Sequence, residues 1–327
     1  MSMEIRVFSE SWPIRGSFTI SRGSKTAAEV VVVELTEHGV SGRGECVPYA
    51  RYGESVPDVI AQIESLMPAL SDGLDRQGLQ AALPAGAARN ALDCAFWDLE
   101  SKQHRQRIWQ RIHKPEPQAL LTAYTLSLDT PDKMQAAAEE NAARPLLKLK
   151  LAGAGDLARV AAVRRGAPSA RIIVDANEGW NEALYRELVP ELQKLGVEMI
   201  EQPLPAGDDA ILASLPRPIP ICADESCHDS STLTELIGRY DMINIKLDKT
   251  GGLTEALELR NQAEAAGLKI MVGCMLATSL AMAPAFVVAQ GAQVVDLDGP
   301  LLLQKDREPG FDYSNHQMHA PDAALWG

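Results

Sequence analysis

The chain of 327 residues carries 31 basic against 44 acidic side chains, a formal net charge of −13, and 46% hydrophobic residues. That length exceeds one small domain, and an acidic balance with no basic cluster argues against a nucleic-acid surface. No apolar run is long enough to cross a bilayer or serve as a signal core, and the five cysteines lack CxxC or zinc-type spacing, so a cytoplasmic protein with reduced thiols and no membrane contact is expected.

Residues 1–118 read as an α+β module. Segments 4–8 and 29–35 have strand character, and Gly39 with Gly42 and Gly44 marks a hairpin into a third strand. Helical patterns follow at 56–70 and 85–112, where Ala88, Leu92, Ala95, Phe96 and Leu99 recur at helical spacing. Two polar, glycine-punctuated stretches, 15–26 and 48–54, are expected to be mobile loops suited to act as lids.

From 119 to 310 a different period takes over. After a first strand at 121–125, apolar segments end at Lys150, Asp175, Glu201, Asp224, Lys246, Cys274 and Asp296, in steps of 25, 26, 23, 22, 28 and 22 residues. Each step is one βα unit, and eight such strands separated by helical patterns describe a parallel barrel whose C-terminal strand ends share one mouth. Lys148 and Lys150 sit two apart in an apolar run, so in a strand both ammonium groups project to one face. Alone, that pattern is better read as a solvated edge strand; within the barrel it points into the mouth.

Asp175, Glu201 and Asp224 end three successive strands and would repel one another there unless a cation lay between them. Any one alone reads as a helix cap, but three in register make an all-oxygen set suited to Mg2+ rather than zinc. Lys150 on the second strand faces Lys246 on the sixth, four strands around the ring, which is a geometry for two bases on opposite sides of one ligand. Lys148, with a metal nearby, is expected to bring Lys150 toward neutrality as a base. Asp296 and Asp298, again two apart, can grip a substrate ammonium.

With their neighbours, Lys148-Leu149-Lys150, Val174-Asp175-Ala176-Asn177, Glu201-Gln202-Pro203, Ala223-Asp224-Glu225-Ser226 and Ile245-Lys246-Leu247-Asp248 resemble the enolase superfamily, muconate-lactonising-enzyme subgroup, over the whole chain. The resemblance implies an α/β fold: a (β/α)7β TIM-like barrel (119–310), an N-terminal α+β capping domain (1–118), and a segment 311–327 returning to that domain. It implies one Mg2+ per subunit on Asp175, Glu201 and Asp224, acid/base roles for Lys150 and Lys246, and Lys148 holding an enediolate.

Asp296-Leu297-Asp298 is similar to the signature of dipeptide epimerases, with further agreement at Thr125, Cys274, Leu276 and the first lid, where Lys25 stands at a position usually held by arginine. This implies an isomerase interconverting L-Ala-D-Glu and L-Ala-L-Glu in murein peptide metabolism, its partners a small dipeptide and at most further copies of itself. N-acylamino-acid racemase or o-succinylbenzoate synthase would need the same bases and metal but nothing for a free ammonium. A barrel serving only as a binding module is disfavoured because no base or acid of the set is missing.

Overall fold

The computed structural model describes residues 3–327. Strands β1 (Glu4–Ile20) and β2 (Gly23–Glu37) form one long hairpin, and β3 (Val40–Cys46) completes an antiparallel sheet. Every residue from Val30 to Val33 is buried because both faces of this sheet are covered. Val31, Val33 and Leu35 pack on the domain's own helices, chiefly the helix Ala87–His104, while Val30 and Val32 join the core that surrounds the barrel.

Of the three glycines expected to mark the hairpin, Gly39 is at the turn, with φ +77°. Gly42 and Gly44 lie inside β3, where a Cβ would fall 2.3 Å from Ala95 O and 2.0 Å from Ala91 O; they are glycine so that the helix can lie directly on the strand.

The first expected lid is strand rather than irregular loop. Pairing runs from Glu4↔Thr36 to Pro13↔Ala27 and resumes at Phe18↔Lys25, so residues 14–17 oppose the single residue Thr26. This bulge bends the hairpin over the barrel, where Ile14 bridges Leu303 and Arg15 Nε donates to Leu303 O at 2.8 Å. The second lid holds the 3-10 turn Ala50–Tyr52, closed by Gly53 at φ +76°.

The short strand β4 (Leu120–Leu121) precedes eight parallel strands: β5 (Tyr124–Leu126), β6 (Leu146–Lys150), β7 (Arg171–Asp175), β8 (Val197–Glu201), β9 (Ile221–Ala223), β10 (Met242–Ile245), β11 (Lys269–Gly273) and β12 (Val294–Asp296). Neighbours in sequence are neighbours in the sheet, and the ring closes where Ala123 N donates to Val295 O at 2.8 Å. The crossovers after β8 and β9 lack full helices, keeping only 3-10 turns and the helix Leu233–Leu236. After β8, Pro203, Pro205, Pro216, Pro218 and Pro220 confine any helix to the ten residues between Pro205 and Pro216. Among the described residues no helix is long and apolar enough to cross a membrane.

The C-terminal segment supplies β13 (Gln317–Met318), antiparallel to β4. It ends on the capping domain: Trp326 Nε1 donates to Cys94 O at 3.0 Å and Gly327 N to Asp98 Oδ1 at 2.7 Å. Inside the barrel, Ala123 just before β5 and one side chain from each of the other seven strands form an apolar plug: Leu146, Ile173, Met199, Cys222, Met242, Met271 and Val294.

Candidate active site

Alternation along each strand decides which side chains lie above that plug. Two residues further on stand Thr125, Lys148, Asp175, Glu201, Asp224, Asn244, Gly273 and Asp296, and two beyond Lys148, Asn244 and Asp296 stand Lys150, at the end of β6, and Lys246 and Asp298, just past β10 and β12. Every charged residue expected to meet in the mouth does so for this reason, and all are buried.

The lysines and acids interlock. Lys150 donates to Asp175 Oδ2 and Lys246 to Asp224 Oδ2, each at 2.6 Å. Lys148 donates to Asp296 Oδ2 at 2.6 Å and lies 2.6 Å from Glu201 Oε2 and 3.4 Å from Asp175 Oδ2. It is therefore held among three carboxylates rather than standing as a bare cation beside Lys150. Its pKa is raised: burial opposes the charge, but Asp296, Glu201 and Asp175 outweigh it. Lys246 is raised likewise, against burial, by Asp224 and Glu201.

Three residues that sequence reasoning missed hold the acids in place. Lys249 is fully enclosed and donates to Asp224 Oδ1 at 2.6 Å, to Asp224 O at 2.5 Å and to Asn244 O at 3.0 Å. Asn244 Nδ2 donates to Glu201 Oε1 at 2.7 Å, and Gly273 leaves room for it, since a Cβ there would lie 2.7 Å from Asn244 Oδ1. Gln202 Oε1 accepts from Asp224 N at 2.9 Å and from Ser226 N at 3.1 Å, fixing the end of β9.

Five buried carboxyls face four buried lysines here, and the surplus acid registers on two of them. Burial, with Asp175 beside it, pushes Glu201 up to about 7; burial, with Asp296 beside it, does the same to Asp298. Asp175 is instead drawn down to about 2, because Lys150 and Lys148 outweigh its burial. Oxygens of Asp175, Glu201 and Asp224 lie within 4.8 Å of one another. Glu201 Oε2 makes no hydrogen bond, and its one charged neighbour is the Lys148 ammonium at 2.6 Å. An all-oxygen triad of converging carboxylates with surplus negative charge fits a hard divalent cation.

Above the triad is a cavity of about 480 Å³, bounded by both lids and by Lys150, Lys246 and Cys274. Lys25 lines it, its Nζ 5.6 Å from the Tyr49 ring centre. A recess of about 30 Å³ is lined by Thr125, Lys148, Cys274, Leu276, Asp296 and Asp298. There Asp298 Oδ2 accepts from Thr125 N at 2.6 Å and Asp296 Oδ1 has no hydrogen-bond partner.

The lids are fastened to the strand ends. Arg22, at the hairpin tip, donates to Asn177 O at 3.0 Å, Glu178 Oε2 at 3.2 Å, Glu225 Oε1 at 2.7 Å and Tyr49 OH at 3.2 Å. Arg51, in the second lid, grips the same Glu178 with two donors, at 2.9 and 2.8 Å.

Residues 133–324 match the family described as enolase C-terminal domain-like, and residues 2–112 the N-terminal domain of mandelate racemase / muconate lactonizing enzyme. The chain is 49% identical to L-Ala-D/L-Glu epimerase of Escherichia coli (strain K12), over 96% of this chain and 99% of the relative. It is 46% identical to N-acetyl-D-glutamate racemase of a Pseudoalteromonas species, over 91% and 95%. Among solved structures, an enolase family member from Agrobacterium tumefaciens with homology to dipeptide epimerases, holding sodium and L-Ala-L-Glu with an ordered loop, superposes with TM-score 0.98 at 52% identity, covering 99% of this chain and 100% of that one. A dipeptide epimerase from Enterococcus faecalis V583, complexed with Mg and L-Leu-L-Tyr, superposes with TM-score 0.89 at 28% identity, covering 98% of both.

Proposed function

Since the chain belongs to the mandelate racemase / muconate lactonizing enzyme family of the enolase superfamily, we propose that it is a dipeptide epimerase, an isomerase that interconverts L-Ala-D-Glu and L-Ala-L-Glu or a related pair by 1,1-proton transfer. The observation that carries this reading is the pair Asp296 and Asp298 in a recess off a cavity flanked by Lys150 and Lys246. A free ammonium in the recess places the next residue's α-carbon between the two lysines.

In one direction Lys150, as the free amine, takes the α-proton at Nζ from one face, while Lys246, as the ammonium, delivers a proton from its Nζ to the other. The reverse reaction exchanges their roles. The Lys148 ammonium meets the substrate carboxylate, where negative charge grows as the proton leaves. Asp175, Glu201 and Asp224 would hold one Mg2+ per chain, which supplies Lewis-acid stabilisation of that charge when bound. Lys25 in the first lid meets the acidic side chain of the second residue as a point charge. The reading includes a cytoplasmic location and a role in murein peptide metabolism, where an L-Ala-Glu unit is the expected substrate.

N-acylamino-acid racemisation is the second reading, favoured by the 46% identical N-acetyl-D-glutamate racemase. An acylated nitrogen carries no charge, so it would bring no cation to Asp298 or to the unbonded Oδ1 of Asp296, leaving them only the Thr125 N–H and Lys148. The test is deuterium wash-in from D2O, with L-Ala-L-Glu and N-acetyl-L-glutamate compared. The dipeptide should epimerise and the acyl compound should trail by roughly 100-fold, the scale of a lost charge-assisted contact. Lys150→Ala and Lys246→Ala should each lower epimerisation by about 10²–10⁴-fold while still exchanging one epimer, each variant the opposite one. If either variant exchanged both epimers at comparable rates, one base would be serving both faces and the two-base reading would be wrong.

A further inference from the structure

On the β5 side of the barrel, outside the mouth, lies another cleft of about 230 Å³, open to solvent. Leu126, Met134 and Ala137 give it an apolar floor, and Arg15, Asp129 and Glu140 stand around its opening. It shares the walls Phe18, Thr125 and Leu302 with the recess that holds Asp296 and Asp298. The recess holds only about 30 Å³, room for roughly two water-sized groups. An ammonium and a methyl fill it.

We infer that this cleft receives the side chain of the substrate's first residue, so that dipeptides beginning with a long, unbranched, neutral residue are substrates beside those beginning with alanine. The inference rests on the epimerase reading and deepens it. With the ammonium on Asp296 and Asp298, the first α-carbon sits at the end of β12, where the ring closes onto β5. That seam is joined by Ala123 N to Val295 O, Leu297 N to Thr122 Oγ1 and Thr125 N to Asp298 Oδ2. Lys148, Lys150, Cys274, Leu276 and Gly299 wall the rest of the recess, and the peptide bond would leave toward the lysines that line the mouth. Phe18 and Leu302 line both the recess and the cleft, so a side chain going from one to the other would pass between them.

Phe18 is the first residue of β1 to pair again after the bulge, so the strand leading to it is free of the ladder. A slot between an aromatic ring and a leucine admits an unbranched chain more readily than a β-branched one, whose χ1 is fixed. At the opening Lys133 is paired with Asp129 at 3.2 Å. Arg15 and Glu140 then oppose each other in charge, which favours a neutral tip over either ion.

The test compares L-Met-L-Glu with L-Ala-L-Glu. Wild-type kcat/KM for L-Met-L-Glu should lie within about tenfold of that for L-Ala-L-Glu, and filling the cleft from behind with Ala137→Trp or the milder Ala137→Phe should cut it about 20-fold, through KM, with L-Ala-L-Glu held within about twofold. Ala137 lies on the helix Pro131–Glu140 and lines neither the mouth nor the recess. A wild-type kcat/KM for L-Met-L-Glu roughly 100-fold below that for L-Ala-L-Glu would overturn the inference on its own, whatever the variants do. So would fillers that leave the ratio of the two substrates unchanged. A wild type inert toward L-Ala-L-Glu would instead strike down the epimerase reading, and the cleft with it.

Discussion

Asp298 accepts the Thr125 N–H, a bond that favours its ionised form, yet burial and Asp296 push it up to about 7. A cation set between the two carboxyls would relieve that conflict, which is why we propose that the pair selects a free ammonium. Asp298→Asn should therefore lower kcat/KM for L-Ala-L-Glu by about 10- to 150-fold, mostly through KM, the equivalent of about 1.5–3 kcal/mol for a hydrogen bond to a charged group. Residual exchange of N-acetyl-L-glutamate should not fall with it; equal losses on both substrates would remove Asp298 from ammonium recognition. The inward placing of Asp298 was legible in the sequence, as was that of Lys148, Lys150, the acidic triad and Lys246, because a charge at the end of a buried apolar strand is costly unless a partner of opposite sign meets it there. Lys249 was not. It follows β10 in the short helix Leu247–Thr250, a place where a lysine is ordinarily solvated, and its partner Asp224 lies 25 residues away. Gln202 escaped for the same reason, since its work is done on a neighbouring strand that only the folded ring brings near.

At the scale of elements, the strand count and the inward set followed from spacing and period two, and the lids did not. The hairpin tip is polar on both faces, which hides its alternation, and the bulge at 14–17 breaks what remains. Its closure depends on the turn after β7, where Asn177 and Glu178 both adopt left-handed backbone, with φ +45° and +64°. Such non-glycine residues cost on the order of 1 kcal/mol each, and here the conformation carries Glu178 to both lids. Burial opposes its charge, but Arg51 and Arg22 hold its carboxyl below the ordinary value. Glu178→Gln keeps the shape and removes the charge that both arginines share. KM for the dipeptide should rise about tenfold, the equivalent of about 1.4 kcal/mol in lid closure, with kcat changed less, and trypsin should cut faster after Arg22, Lys25 or Arg51. A variant with wild-type KM and unaltered proteolysis would show that the lids close without this catch.

For the whole molecule, the question is how the capping domain is held to a barrel whose charged mouth it covers. The joint lies one turn past Lys246. Arg89 donates to Thr250 O at 2.7 Å and Gly251 O at 3.1 Å, Thr254 N donates to Asp93 Oδ2 at 3.0 Å, and Asp248 Oδ1 accepts from Val47 N at 2.9 Å and Asn90 Nδ2 at 2.8 Å. Asp248 has two donors and no cation in this arrangement, so burial, with Glu54 and Glu45 adding to it, pushes its pKa from 3.8 up to about 7. Below 3.8 it is protonated whether folded or not and has no effect on stability. Between 3.8 and about 7 the unfolded chain gives up the proton while the folded one keeps it, so stability falls as pH rises; above about 7 both forms are ionised and the loss is constant. Asparagine at this position keeps an oxygen for both donors and cannot ionise. The stability of wild type minus that of Asp248→Asn should thus decline across this window, by up to about 1.4 kcal/mol per pH unit, and level off near pH 8. Denaturant titrations of the two proteins at about pH 5, 6, 7 and 8 measure that difference directly, since every other titrating group is common to both. A difference independent of pH would mean that Asp248 is ionised in the folded protein throughout, and that a cation or water compensates it at the joint.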